Sequence, residues 1–347
     1  MPDAGSTSFD IVVPTYGRSE SLSRTLSALS EQSIPAGLQY VHVVENGPKF
    51  GAEQVCDSLS DKLPVRYHYI DEPGVNGARN LGARTSRADF VLFFDDDVKP
   101  VPGALACYAE AFSRLGQHRF FGGPLVPDYE EPPADWLVEF LPNSARGFSL
   151  GEQEVVIDGP VFIGSNFAVP RATFDELGYF DGPCPTGATG GGLGDETRLL
   201  QRLLDGGYAG VYLPQAGVLH WVPKNRCDAH FMRHRAWRYG FGEGQLLAEN
   251  MREDIAKICG VPGWCWRKAG LSVVKLLQTV NPWSSKRQSF ARLLEVYRQL
   301  GCVVGCRDGR SRTHRVVRES LETPPAAGSE LTGCSDKKRR DSGPPNA

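Results

Sequence analysis

The chain has no run approaching about 18 uninterrupted apolar residues, so no segment reads as a membrane-spanning helix. It has no Cys-x-x-Cys pair, and its nine cysteines form an odd set scattered from Cys56 to Cys334. That argues against a disulfide-stapled secreted domain and predicts a reduced, cytoplasmic setting. Cys302 and Cys306 are spaced to share a helix face, but no second ligand pair accompanies them. Buried thiols acting as small apolar side chains are expected there rather than a metal site. Excess basic charge is also missing: 38 Lys and Arg stand against 41 Asp and Glu, a net charge of -3. A general nucleic-acid binder would normally be basic, so no nucleic-acid partner is expected. No N-terminal stretch has the charged, apolar and cleavable layout of a signal peptide.

A hydrophobic share of 41% over 347 residues suffices for one large α/β domain with an appendage, or for two modest domains. Short β-rich runs recur in the first hundred residues, at 9–13, 40–44, 65–70 and 90–94. The first and last are almost wholly apolar, as strands buried on both faces are. Leu22, Leu26 and Leu29 mark a helix after the first run, with Ser19 placed to cap it. Ala78, Leu81 and Ala83 mark another helix over 76–86. Strand, helix, strand at this spacing predicts an α/β fold with a doubly wound, mostly parallel sheet. Ligands of such sheets gather at the carboxyl ends of the strands, and Thr15-Tyr16, Glu45-Asn46, Asp71-Glu72 and Asp95-Asp96-Asp97 all fall there.

Three consecutive aspartates after an apolar strand repel one another unless something positive sits among them. With the strand continued, Asp95 and Asp97 face one side and Asp96 the other. Their hard oxygens suit Mg²⁺ or Mn²⁺, ions that bridge to phosphate oxygens. A solvated acidic turn, with Asp97 capping the helix that starts near Gly103, is the competing reading.

Further along, a helix is expected over 103–115 and a Pro-rich, acidic loop over 124–133. Strands are expected at 155–157 and 161–167, and a short helix at 171–177. Gly190-Gly191-Gly192 lies in a segment, 187–194, that should be mobile. A strongly patterned helix follows over 195–205, ended by Gly206-Gly207, and strands are expected at 209–213 and 217–221. Beyond residue 225 the chain turns helical and basic, with Arg233, His234, Arg235 and Arg238 close together. Two amphipathic helices over 264–304 break near Asn281-Pro282, and the end from about Ser320 reads as disordered. Leu271, Val274 and Leu277 with Lys268 and Lys275 leave two readings open: a helix on an anionic membrane surface, or a cap on the catalytic domain.

The ordered set of motifs resembles glycosyltransferase family 2, which has the GT-A fold. It comprises Val13-Pro14-Thr15-Tyr16-Gly17-Arg18, Val44-Glu45-Asn46, Pro73 to Ala83 and the aspartate cluster. Gly164-Ser165-Asn166-Phe167-Ala168, Phe174 to Asp181, Gly194 to Leu199 and His220 continue it in order, over roughly residues 9 to 222. The resemblance implies a GT-A type, Rossmann-like catalytic domain over 1–225. Residues 1–100 would be its nucleotide-sugar-binding half and 101–225 its acceptor half. A helical, basic extension (226–318) and a tail (319–347) would complete the chain.

The resemblance also implies site residues. Pro14, Thr15, Tyr16, Arg18, Glu45, Arg79, Asp95 and Asp96 would bind the nucleotide-sugar. Asp97, Asp95 and His220 would hold a divalent cation, Mn²⁺ or Mg²⁺. Asn166, Gly192 and Trp221 would border the acceptor. The Asp195-Glu196 pair, inverted relative to the family's usual Glu-Asp order, would supply the general base, Glu196 before Asp195. The implied reaction is inverting transfer of a sugar from a nucleotide-diphosphate donor to an acceptor hydroxyl. A nucleotidyltransferase and a non-catalytic nucleotide-sugar-binding relative are the rival expectations. The expected location is cytoplasmic, with peripheral membrane contact through the C-terminal helices as one option.

Overall fold

The computed structural model describes residues 7–180, 195–249, 255–279 and 285–322; the side chains of residues 195, 249 and 309–322 are outside that description. The first elements are β1 (Phe9–Thr15), α1 (Ser19–Ser30), β2 (Leu38–Asn46), α2 (Ala52–Leu59), β3 (Val65–Ile70), α3 (Val75–Thr85) and β4 (Phe90–Phe94). Then come β5 (Val98–Pro100), α4 (Ala104–Leu115), β6 (Arg119–Gly122), β7 (Leu125–Tyr129), α5 (Asp135–Val138), α6 (Asn143–Arg146), β8 (Val155–Ile157) and β9 (Asn166–Pro170). After these follow α7 (Ala172–Leu177), α8 (Asp195–Asp205), β10 (Ala209–Tyr212), β11 (Val218–Val222) and a 3₁₀ turn, Lys224–Arg226. The C-terminal part holds α9 (Ala229–Glu249), a small hairpin β12 (Lys257–Ile258) and β13 (Val261–Pro262), α10 (Gly263–Leu277) and α11 (Lys286–Glu322).

Eight strands form the main sheet in the order β3-β2-β1-β4-β9-β6-β10-β8. The first four run parallel; β9 enters antiparallel between β4 and β6. Alternation along β1 and β4 explains their continuous apolar sequence. Phe9, Ile11, Val13, Phe90, Leu92 and Phe94 face one core, together with Leu22, Leu26 and Leu29 of α1. Val12, Val91 and Phe93 face the other, which holds Phe167, Phe174, Phe180 and Leu199, Leu200 and Leu203 of α8. With apolar layers on both sides, every residue of these two strands is buried.

Several local expectations fail, each for a physical reason. Ser19 does not cap α1: it is already the first helical residue, Arg18 precedes it, and no side chain caps the helix. The Pro-rich stretch is not all loop, because β7 runs through Pro127 and pairs with β11. That sheet has the order β5-β11-β7, so β7 is an edge strand, where a residue lacking an N–H is tolerated. The 161–167 run becomes strand only from Asn166; before it Phe162 fills the space left by the missing side chain of Gly122. The helix α2 was not anticipated; its buried Ala52, Cys56 and Leu59 give a short stripe. At the C-terminal side α11 continues through Glu322, beyond the start of the expected tail.

Glycines set how closely α9 and α11 pack. A Cβ at Gly240 would stand 1.8 Å from the Arg298 carbonyl oxygen, and one at Gly305 1.9 Å from that of Phe241. Gly244 and Gly301 meet the backbone at Cys302 and Trp237 as closely. Because 237–241 lies against 301–305 and 240–244 against 298–306, the two helices run parallel. Cys306 is fully buried beside Cys265 and Val303, a packing role for these thiols.

Candidate active site

The carboxyl ends of β1, β2 and β4 converge on a cleft of about 420 Å³, lined by Pro14, Thr15, Tyr16, Arg18, Asn46, Val75, Arg79, Asp95, Asp97, Ser144, His220 and Arg226. A volume of this size suits a small-molecule site. A larger cavity of about 660 Å³ lies between Pro124–Pro127 and Arg146–Ser149. Its titratable lining residues are Arg146, Glu152 and Tyr212, whereas the smaller cleft gathers two aspartates, a histidine and three arginines, so the chemistry is sought there.

Backbone pairing brings the chemical groups together. β11 runs antiparallel to β5 with His220 opposite Val98, and Trp221 N donates to the Asp97 carbonyl. His220 Nε2 therefore lies 3.5 Å from Asp97 Oδ1. The three aspartates diverge as an extended chain requires. Asp96 has no exposure; its carboxylate accepts from Thr15 Oγ1 (2.6 Å) and pairs with Arg18 (2.5 Å). The other Arg18 nitrogen donates to Asp97 Oδ2 at 2.7 Å. Asp95, part-exposed at 29%, receives Arg79 Nη2 at 3.0 Å, and the same nitrogen donates to the Gly164 carbonyl. Arg79 is buried on α3, its charge set against the aspartates by the helix position.

Burial pushes the Asp96 carboxyl up to about 7; Arg18 opposes this, Asp97 and Asp95 add to it, and the Thr15 hydroxyl opposes it. Burial lowers the Arg18 guanidinium, but the charges of Asp96, Asp97 and Asp95 outweigh it and raise it overall. Arg18 thus supplies positive charge that the aspartate cluster demands. Asp97 Oδ1 and His220 Nδ1 are buried and receive no hydrogen bond among the described residues. Asp97 does not cap α4, whose first residue follows a left-handed Gly103.

Other expected site residues lie elsewhere. Glu45 is not on the cleft: it is 1% exposed, accepting from Phe50 N (2.6 Å) and Tyr67 Oη (2.7 Å). Its neighbour Asn46 holds that place, donating to the Thr15 carbonyl and accepting from Gly74 N, so it ties three loops together. Tyr16 forms an exposed wall, its ring edge-on to Phe50. Asn166 is a buried buckle rather than an acceptor contact, accepting from Tyr108 Oη and donating to the Pro124 and Ala216 carbonyls. Trp221 lies under Arg24 of α1, 4.8 Å from the ring centroid, and does not line the cleft. Asp96 is turned away from the cleft and held by Arg18 and Thr15. Gly192 and the rest of 187–194 fall outside the described residues, as does the Asp195 side chain.

Glu196 sits beside the cleft in an informative way. A Cβ built on Gly164 would meet Arg79 Nη2 at 2.9 Å and Glu196 Cδ at 3.2 Å. The candidate base and the arginine on Asp95 therefore flank one backbone position that has no side chain. Ser144 and Arg226 were not anticipated as site residues, and Asn46 was placed at a ligand-gathering strand end without a role of its own. For Arg226 the available signal was its position six residues after His220, four beyond the end of β11.

Comparison with known proteins agrees with this geometry. Residues 10–178 match the family described as Glycosyl transferase family 2. The chain is 26% identical over 292 residues to the succinoglycan biosynthesis protein ExoM of Rhizobium meliloti, covering 81% of this chain and 88% of that protein. It is 34% identical over 107 residues to validoxylamine A glucosyltransferase of Streptomyces hygroscopicus subsp. limoneus, a match spanning 29% of this chain and 24% of that one. Among solved structures, GalNAc-T7 with UDP, GalNAc and Mn²⁺ superposes with a TM-score of 0.50 at 14% identity, over 72% of this chain and 52% of that one. With its mostly parallel sheet and strand-end cleft, the chain has the GT-A fold, and its residues 10–178 match glycosyltransferase family 2.

Proposed function

We propose that this enzyme transfers a sugar from a nucleoside-diphosphate donor to an acceptor hydroxyl, with inversion at the anomeric carbon. The observation that carries the proposal is the convergence of Asp95, Asp97, His220, Arg18, Arg79 and Arg226 on one cleft. Guanidinium groups there oppose the two phosphates and the charge that grows on them as the sugar departs. Tyr16 and Asn46, which line the same cleft, border the nucleoside.

The residues fit a hard divalent cation, Mg²⁺ or Mn²⁺. Asp97 Oδ1 is a buried oxygen with no hydrogen bond, His220 Nε2 is close to it, and Asp95 is accessible. Among the described residues no group of three or more His, Cys, Asp or Glu side chains is placed to hold a metal ion by itself. Asp97, Asp95 and His220 would therefore hold the ion jointly with diphosphate oxygens and water, the usual arrangement for Mg²⁺. Its chemistry there is neutralisation of the leaving diphosphate.

Glu196 is the proposed general base. Its carboxylate, in the first turn of α8, takes the proton from the acceptor hydroxyl as that oxygen attacks. Arg79, which approaches the same Gly164 Cβ position, orients the carboxylate. A single displacement needs no covalent nucleophile. The catalytic unit is proposed to span 1–225, with 226–318 as a separate helical extension. The name of the Rhizobium relative supports glycan synthesis as the setting, and the validoxylamine relative supports a small-molecule acceptor.

The test is a panel of nucleotide-sugars with Mg²⁺ or Mn²⁺, reading nucleoside diphosphate release and the anomeric configuration of the product. Asp97→Ala should lower turnover about 100-fold to 1000-fold while the melting temperature holds. Release of pyrophosphate would instead identify nucleotidyl transfer. Donor binding with no turnover on any acceptor would identify a non-catalytic relative.

A further inference from the structure

α10 packs in an inverted sense. It turns small side chains inward, burying Cys265, Ala269 and Ser272 against Val303 and Cys306 of α11. Its large apolar side chains face out: Trp264 and Trp266 are 40% exposed, Leu271 49%, Val274 50% and Leu277 64%. Ile258, on the hairpin before the helix, is 59% exposed, and its carbonyl accepts from Trp266 Nε1 at 3.0 Å. At 100° per residue, Leu271, Val274 and Leu277 share the face opposite the buried stripe, and Lys268 and Lys275 run along one flank.

The charge on this surface has one sign. α10 contains no Asp or Glu, while Arg267, Lys268 and Lys275 are all exposed. The Lys268 ammonium lies 4.8 Å from the Trp264 ring centroid, held beside the apolar strip. No helix among the described residues is long and apolar enough to cross a membrane.

We propose that α10 and the β12–β13 hairpin lie in the headgroup layer of an anionic membrane. Leu271, Val274, Leu277 and Ile258 enter the acyl boundary, Trp264 and Trp266 sit at the interface, and Arg267, Lys268 and Lys275 pair with lipid phosphates. An acidic protein could satisfy the cations and a second copy of the chain could cover the leucines. An anionic bilayer satisfies both on one flat surface, and tryptophan flanking basic and aliphatic residues is the composition such a layer selects. The inference is independent of the sugar-transfer reading, since none of these residues lines the cleft.

Flotation of the full chain with vesicles of phosphatidylglycerol in phosphatidylcholine, and with phosphatidylcholine alone, tests this. The chain should float with the anionic vesicles and release as salt rises. The combined Leu271→Ser, Val274→Ser and Leu277→Ser variant should stay at the bottom of the gradient, with its melting temperature and donor turnover unchanged. Lys268→Gln with Lys275→Gln should weaken binding about twenty-five-fold, roughly fivefold per cation. Wild-type chain that ignores anionic vesicles, or a triple serine variant that floats like wild type, would overturn the proposal. So would a wild-type dimer in the absence of lipid that the triple variant cannot form, because that face would then join two copies.

Discussion

A methyl group at residue 164 would touch both Arg79 and Glu196, and both contacts are with the far ends of side chains. Gly164→Ala should therefore cost the fold little but shift the charged groups beside the reacting atoms. A drop in kcat of about tenfold with an unchanged melting temperature is expected, since displacements well under 1 Å already slow an aligned reaction. Arg226 is exposed and shares the cleft with Asp97. Replacing it with Ala should raise the donor KM about tenfold and leave the melting temperature alone, measurable from initial rates at varied donor. At this scale the sequence was half legible. Asp95, Asp97 and Arg18 announce themselves as charges just beyond strand ends, and Arg79 as a charge on the helix that follows β3. Glu45 and Asn166 show that a polar residue in a motif can also serve the scaffold: Phe50 N and Tyr67 Oη take up one, Tyr108 and two carbonyls the other. Nothing in the sequence around Glu45 signals that Tyr67, on the neighbouring strand, will reach it.

Elements with a clear period were readable, and those defined by pairing were not. β1, β4, α1 and α8 carry their burial pattern in their own residues. β7 does not: its Pro127 argues against a strand until the edge position beside β11 is known. α9 and α11 also read as ordinary basic helices, because a glycine's meaning depends on what approaches it. Gly240→Ala and Gly305→Ala should each push the helices apart and destabilise the fold by about 1–3 kcal/mol, the usual cost of overpacking. Urea unfolding of each variant against wild type measures it. The same substitution at Gly270, with no atom near its Cβ position, serves as the control.

For the whole molecule, acid sensitivity originates far from the cleft, below the amino ends of β1 and β2. There Asp10 accepts from Tyr40 N and Ser86 Oγ and lies 3.3 Å from His42, whose Nδ1 faces His68 Nε2 at 2.9 Å. Burial raises the Asp10 carboxyl, but hydrogen bonds from His42, Ser86 and Tyr40 and the His42 charge outweigh it and hold it below its ordinary 3.8. Burial, then His42 and Arg66, hold His68 below its ordinary 6.5. The unfolded chain takes up both protons at higher pH than the folded one, so each contribution is complete above the ordinary value and fades as pH falls. Stability should decline first below about pH 6.5 through His68 and again below about pH 3.8 through Asp10. His68→Gln should flatten the first decline only, read from denaturant midpoints along a pH series.

The parallel pairing of α9 with α11 also sets a timetable for the chain. Parallel helices cannot be joined by a tight turn, and Glu243 meets Arg298 across 55 positions. With glycines at 240, 242 and 244, α9 is a poor helix by itself, each glycine costing about 1 kcal/mol relative to alanine. It gains its partner only when the far strand of the loop has arrived. The two helices therefore order together or not at all, a single cooperative unit whose formation waits on the closure of that loop.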